Sequence, residues 1–308
     1  MVYLRLIRFQ NLVLLALMQL VLRYGFLKYQ SVGLALADWQ YLLLVLATML
    51  IAGAGYVIND IFDQDADEVN HPNKWIVGKI IPEAKAYNIY VALNITGVGI
   101  GFYLSNVIGK PSFATLFIFV AACLYFYATT LKKYMIIGNL LVAVLAAISV
   151  LIIGVFDIFP ATHPYNREQM KLLFEILTDY ALFAFMIHFI REIAKDAEDI
   201  KGDLVQGRKT LPMVIGTRAT SFVLSGLVIM SCVIVGWYLY KNLMQNELYP
   251  AVLYGLATVI SPLLYLVIKS IEAKTEDDFN HISKVLKWVM FFGLFASAVI
   301  TYSILHHA

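Results

Sequence analysis

The sequence predicts an all-α, multi-pass integral membrane protein with about nine transmembrane helices. Three observations lead there. Of 308 residues, 61% are hydrophobic, against roughly 45–50% in a soluble domain. Only 14% are charged, where about 25% is ordinary. The apolar residues also fall in long continuous blocks, whereas a membrane β-barrel would alternate over segments of about 10 residues. A formal net charge of +2 excludes a nucleic-acid binder that works by bulk charge. Cys123 and Cys232 sit inside apolar runs, which suggests packing residues rather than a disulfide framework or a metal site.

Crossing the hydrocarbon takes about 20 apolar residues. The first candidate, Ile7–Leu27, follows Arg5 and Arg8. It reads as a span rather than a cleaved signal, because Arg23 and Lys28 separate it from the small-residue stretch Ala35-Leu36-Ala37. Trp39–Ile58 runs into an acidic stretch, and Tyr87–Ile108 contains Asn88 and Asn94. Phe113–Thr130 and Met135–Phe156 carry no charged residue, and Leu172–Ile193 ends at a second acidic stretch. Ala219–Tyr240, Ala251–Ile268 and Trp288–Leu305 complete the series. Pro262 interrupts the eighth, which membrane helices tolerate better than soluble ones.

Orientation follows from basic residues. With the N-terminus in the cytoplasm, inner segments hold 17 of the 23 Lys and Arg and outer segments hold 6. The outer six are Arg23, Lys28, Lys110, Arg167, Lys171 and Lys241. This bias is the positive-inside pattern. It places the C-terminus outside, in the inner membrane if the cell is bacterial. Residues 1–308 are expected to form a single membrane domain. The longest polar stretches, Asn59–Lys85 and Lys195–Arg218, both fall on the inner side.

Each of those stretches opens with a row of aspartates. Asp60, Asp63 and Asp67 follow the second span, and Asp196, Asp199 and Asp203 follow the sixth. Both rows have spacing i, i+3, i+7, which on a helix puts three carboxylates on one face. Like charges so placed repel, and two facing rows repel more strongly unless a cation lies between them. Hard oxygen donors select Mg²⁺ or Ca²⁺, and Mg²⁺ binds through one or two carboxylates together with waters and substrate phosphates. The rows therefore predict a divalent-metal site that captures a diphosphate at the membrane surface. Solvated helix ends are the plainer reading of either row alone, but not of two matching rows on one side. Lys74, Lys79, Lys132, Arg191, Lys195 and Lys209 lie on the same side as a basic rim.

These residues resemble a known family. Asn59-Asp60-x-x-Asp63-x-x-x-Asp67 is similar to the first aspartate motif of the UbiA superfamily of intramembrane prenyltransferases. Asp196-x-x-Asp199-x-x-x-Asp203, within the run from Arg191 to Pro212, is similar to the second. Tyr127 to Lys132 with Gly138-Asn139 resembles the loop between its fourth and fifth helices. The resemblance implies nine helices around a central cavity with a cytoplasmic cap, and Mg²⁺-dependent transfer of a prenyl group from an isoprenoid diphosphate to a lipid-soluble acceptor. It implies that the six aspartates hold metal and carry the catalysis. Asn59, Lys74, Tyr127, Lys132, Asn139, Arg191, Lys195 and Lys209 would bind substrate. Membrane lipid is the expected surrounding, with no nucleic acid and no obligatory protein partner. The run from Asp60 to Lys74 is most similar to the branch containing digeranylgeranylglyceryl-phosphate and chlorophyll synthases, which favours geranylgeranylglyceryl phosphate as acceptor. It departs from that branch at Lys74, Trp75 and Val77, where Arg, Pro and Ser are expected; Lys lacks the bidentate fork of Arg.

Alternatives are prenylation of an aromatic quinone precursor, a terpene cyclase on the same scaffold, and an ion-coupled transporter. A transporter would place acids in mid-span, whereas here the acids cluster at helix ends and the mid-span regions carry few ionisable groups. His188 is the main intramembrane ionisable group and reads as a hydrogen-bonded core residue, and Asn11 reads as packing glue between helices.

Overall fold

The computed structural model describes residues 1–70 and 75–306. Lys74, with the rest of 71–74, and His307 lie outside them. Helices follow in the order α1 (Val2–Leu6), α2 (Phe9–Tyr24), α3 (Asp38–Phe62), α4 (Gln64–Asn70), α5 (Glu83–Val107), α6 (Ala114–Thr129) and α7 (Ile137–Ile153). They continue as α8 (Arg167–Glu198), α9 (Ile200–Val205), α10 (Leu211–Ile215), α11 (Thr217–Tyr238), α12 (Tyr249–Gly255), α13 (Ser261–Glu272) and α14 (Glu276–His306). Two two-residue strands, β1 (Tyr134–Met135) and β2 (Lys209–Thr210), pair in parallel with Tyr134 opposite Lys209.

Among the described residues nine helical stretches are long and apolar enough to cross a membrane, from Phe9–Tyr29 to Glu276–His306. Each contains or overlaps one predicted span. The sixth is longer than expected, because α8 carries its helix through Asp196. The eighth passes Pro262 without ending. A π turn over Leu256–Ile260 precedes it and Pro262 enters the first turn of α13, where a missing N–H costs little. The Nδ2 of Asn94 donates to the Tyr90 carbonyl one turn back, while its Oδ1 is buried without a hydrogen-bond partner.

Small residues let the spans approach closely. A methyl group on Gly97 would lie 2.8 Å from the Ile51 side chain, and one on Gly101 would enter the Phe117 ring. Such contacts hold membrane helices together where lipid removes most of the hydrophobic drive. α3 packs on α5 and α6, α7 on α8, and α8 on α11 and α14. α2 touches α3, α7 and α14 and closes the ring. Large apolar side chains such as Trp39, Ile95, Phe102, Trp237 and Leu253 face outward, as a surface solvated by lipid requires.

The end of the bundle reached by the C-termini of α3 and α8 bears a cap of short elements. α4 packs on α9, and the β1–β2 pair ties the turn after α6 to the segment after α9. The opposite end is sealed differently. Arg23 is 1% exposed and Asp157 fully buried. Their Nε–Oδ2 separation is 2.8 Å, an ionic contact without hydrogen-bond alignment. Asp157 Oδ1 accepts the Leu36 N–H at 2.9 Å, and Arg23 donates to the Leu36 carbonyl. The guanidinium also lies 4.3 Å from the centre of the Tyr41 ring. A π turn over Gly154–Ile158 holds Asp157 in the bundle.

Candidate active site

The expected stripe of three aspartates on one straight helix is corrected in both rows. α3 ends at Phe62, Asp63 caps it at φ −102°, ψ 8°, and α4 starts at Gln64. α8 ends at Glu198, Asp199 caps it at φ −99°, ψ 15°, and α9 starts at Ile200. Each row therefore straddles a helix break at its middle aspartate. One helical bond survives across each break, from Asp67 N–H to the Asp63 carbonyl and from Asp203 N–H to the Asp199 carbonyl. The break interrupts the straight stripe, and basic partners at Asp60, Asp63 and Asp203 offset the like charges.

The two corners hold each other. The Asn70 side chain, ending α4, accepts the Gly202 N–H at 2.8 Å and donates to the Asp199 carbonyl at 3.1 Å. Gln206, after α9, donates back to the Phe62 carbonyl at 3.3 Å. Each short helix thus reaches the C-terminus of the other row's long helix: Gln206 satisfies the Phe62 carbonyl, and Asn70 adds a second donor to the Asp199 carbonyl. Only glycine fits at 202, since a Cβ there would run into the Asn70 amide.

Side chains close the gap between the rows. Arg208 contacts Asp63 of the first row through Nη2, and Asp203 of the second through Nη1 at 2.9 Å. Asp63 also accepts from Lys132 and, at 2.6 Å, from Asn59. Asp60 is paired with Arg8 at 3.0 Å, and Asp196 accepts from Asn139 at 2.7 Å. Burial raises the Asp203 carboxyl above its usual range, with Arg208 opposing. Burial lowers Lys132, with Asp63 opposing. For Arg208, burial disfavours the charge, but Asp63 and Asp203 together outweigh it and hold the guanidinium above its ordinary value. Among the described residues no three His, Cys, Asp or Glu side chains converge closely enough to hold an ion by themselves.

Below the rows lies a cavity of about 510 Å³, within the roughly 300–1,000 Å³ range of small-molecule sites. Asn59, Tyr127, Arg191 and Lys195 line it at one end, and it continues along apolar walls that include Leu22, Phe117, Phe183, Tyr238 and Leu294. His188 lines this hollow instead of sitting in a packed core, and Asn11 lines it too, accepting from Lys287. Asp67 and Asp199 are half-buried in the cap. Lys209 is exposed on β2, while the neighbouring Arg208 contacts both rows. Sequence reasoning counted Arg208, Arg8 and Lys287 only as inner-side charges and gave no role to Asn70, Gln206 and Glu192. Spacing offered one clue to Arg208, five residues beyond Asp203, but nothing to set it above Lys209.

A nine-span bundle with two matched acidic corners over one apolar hollow is the architecture of an intramembrane prenyltransferase, and the chain belongs to the UbiA prenyltransferase family, whose pattern it matches over residues 20–302. A digeranylgeranylglyceryl phosphate synthase of Methanobrevibacter smithii is 30% identical to it over 268 residues, 87% of this chain and 89% of that one. A solved digeranylgeranylglyceryl phosphate synthase structure superposes with a TM-score of 0.61 at 23% identity, covering 97% of each chain. A UbiA homologue from Archaeoglobus fulgidus bound to GPP and Mg²⁺ superposes with a TM-score of 0.56 at 14% identity, over 96% of this chain and 99% of that one.

Proposed function

We propose that this chain, read as one domain over residues 1–308, transfers a geranylgeranyl group from its diphosphate to the free hydroxyl of geranylgeranylglyceryl phosphate, forming an ether lipid precursor. The supporting relatives are synthases of that product. The observation that carries the reading is the meeting of both aspartate rows at Arg208, at the end of the molecule where the apolar cavity has its polar lining.

The acidic residues fit Mg²⁺ of the kind that a UbiA homologue binds beside GPP. Asp60, Asp63 and Asp67 would hold it on one side, and Asp196, Asp199 and Asp203 on the other. No three of the described acids converge, which suits an ion that takes one or two carboxylates and fills its shell with water and phosphate oxygens. When bound, Mg²⁺ neutralises the diphosphate leaving group.

The protein's own groups do the rest. Lys132 and Arg208 turn from Asp63 towards diphosphate oxygens, the planar fork of Arg208 suiting two of them at once. Cleavage of the allylic C–O bond leaves positive charge on the prenyl carbon. Tyr56 and Tyr127, lining the cavity near the rows, offer ring faces worth on the order of 1–2 kcal/mol to a desolvated cation. The apolar walls exclude water that would otherwise capture it. The acceptor oxygen then forms the new C–O bond and loses its proton. The aspartate end and the N-terminus face the cytoplasm in this reading, and the C-terminus faces outward.

The test is turnover by purified protein given labelled geranylgeranyl diphosphate with Mg²⁺. Geranylgeranylglyceryl phosphate should be consumed and 4-hydroxybenzoate should not. Turnover confined to the aromatic acid overturns the acceptor assignment. Diphosphate release with no acceptor present would indicate a cyclase.

A further inference from the structure

Inward of the aspartates, the cavity wall carries charge for which an apolar tail has no use. Arg191 on α8 and Lys287 on α14 both line the hollow, and both lie within membrane-crossing stretches. Arg191 is five residues before Asp196 on the same helix, roughly 7–8 Å deeper at 1.5 Å per residue.

Their compensation is incomplete. Glu192 is shared between Arg191 at 3.4 Å and Lys195 at 3.7 Å. Lys287 donates to the neutral amide oxygen of Asn11 at 3.1 Å. Arg191 Nε is buried with no hydrogen-bond partner. Arg8, the next cation on this wall, is taken by Asp60. Buried polar groups are expected to be paired, and ionisable groups inside a span mark functional sites. Arg191, Lys195 and Lys287 against Glu192 leave two positive charges over.

We infer that Arg191 and Lys287, positioned with Asn11, form a second anion site, separate from the diphosphate site, that takes the phosphate monoester of the acceptor headgroup. This rests on the glycerol-phosphate reading above. The charge balance selects the ligand: a phosphate monoester carries roughly −1.5 to −2 and neutralises the surplus, whereas a carboxylate leaves one cation uncompensated in the cavity wall. Arg191 offers its unpaired Nε–H to one phosphate oxygen, and Lys287 supplies a point charge to another.

The test uses the full chain in detergent and separates the two substrates. With chelator present to silence the diphosphate site, wild-type protein should bind geranylgeranylglyceryl phosphate at least about tenfold more tightly than geranylgeranylglycerol, a preference equivalent to ~1.4 kcal/mol. Lys287→Gln should remove that preference, and Lys287→Arg, which keeps the charge and guards against a folding artefact, should retain it. In steady-state assays Lys287→Gln should raise the KM for the phosphorylated acceptor about tenfold and leave the KM for geranylgeranyl diphosphate unchanged. Equal rises in both KM values would assign these cations to the donor and overturn the inference. Equal binding of the phosphate and the alcohol by wild-type protein would also overturn it. If the phosphate preference and its loss in Lys287→Gln are seen but no glycerol-phosphate acceptor turns over, the anion site stands and the acceptor assignment falls. If that acceptor turns over and Lys287→Gln is indistinguishable from wild type, the assignment stands and the anion site falls.

Discussion

The two ends of the bundle use the same chemistry, an arginine against an aspartate, for opposite purposes. At one end Arg23 and Asp157 are sealed from solvent, and the loop at Leu36 supplies both an N–H and a carbonyl to complete them. At the other, Arg208 lies between Asp63 and Asp203 beside Lys132 and the cap. The first pair has only protein partners and a fixed geometry. In the proposed reaction the second has partners that an incoming diphosphate and its metal would replace. The comparison teaches that burial with backbone partners makes an ion pair a lock, while placement at the end of a cavity makes it exchangeable.

The largest expected effect sharpens that contrast at the exchangeable end. Asp63→Ala should lower kcat/KM by on the order of 10²–10³-fold or more with a near-wild-type thermal midpoint, and excess chelator should silence the wild-type enzyme similarly. Wild-type rates in chelator would remove the metal-dependent mechanism. At the locked end Arg23→Met strands a buried carboxylate and should cost roughly 3–5 kcal/mol of stability, read as a fall in the unfolding midpoint, while kcat per folded molecule stays the same. Adding Asp157→Leu should recover much of that loss. A kinetic defect in Arg23→Met would break the comparison.

Smaller effects follow. Arg208→Gln should raise the KM for the prenyl diphosphate about tenfold, the scale of losing one partner of a charge pair, with kcat less affected. Asn70→Ala removes two hydrogen bonds between the corners and should cost about 1–2 kcal/mol, measured by denaturation, with a several-fold fall in kcat. Lys209→Ala is the least disruptive. Its side chain is exposed on β2, so stability should change by less than about 0.5 kcal/mol and turnover should be nearly unaltered.

The span pattern and both aspartate rows were legible because each is written in contiguous residues. Apolar length marks a crossing helix, and the Asp60-x-x-Asp63 and Asp196-x-x-Asp199 spacings repeat visibly. The helix breaks at Asp63 and Asp199 were not legible, since neither holds the proline or glycine that usually announces one. The contacts of Arg208 rather than Lys209 with the rows turn on which of two neighbours faces the cap where an irregular turn enters a two-residue strand, and such a junction has no period to read. Arg23 looked like an ordinary loop charge because its partner Asp157 lies far along the chain and is brought in by a π turn.

The crossed ties of Asn70 and Gln206 carry a consequence for how such a centre is tuned. Because each short helix hangs from the opposite long one, displacing either acidic corner drags its counterpart along. The separation across the mouth is thereby set like the gauge of a railway track, by cross-ties rather than by either rail, and a change at one fastening alters the width along both.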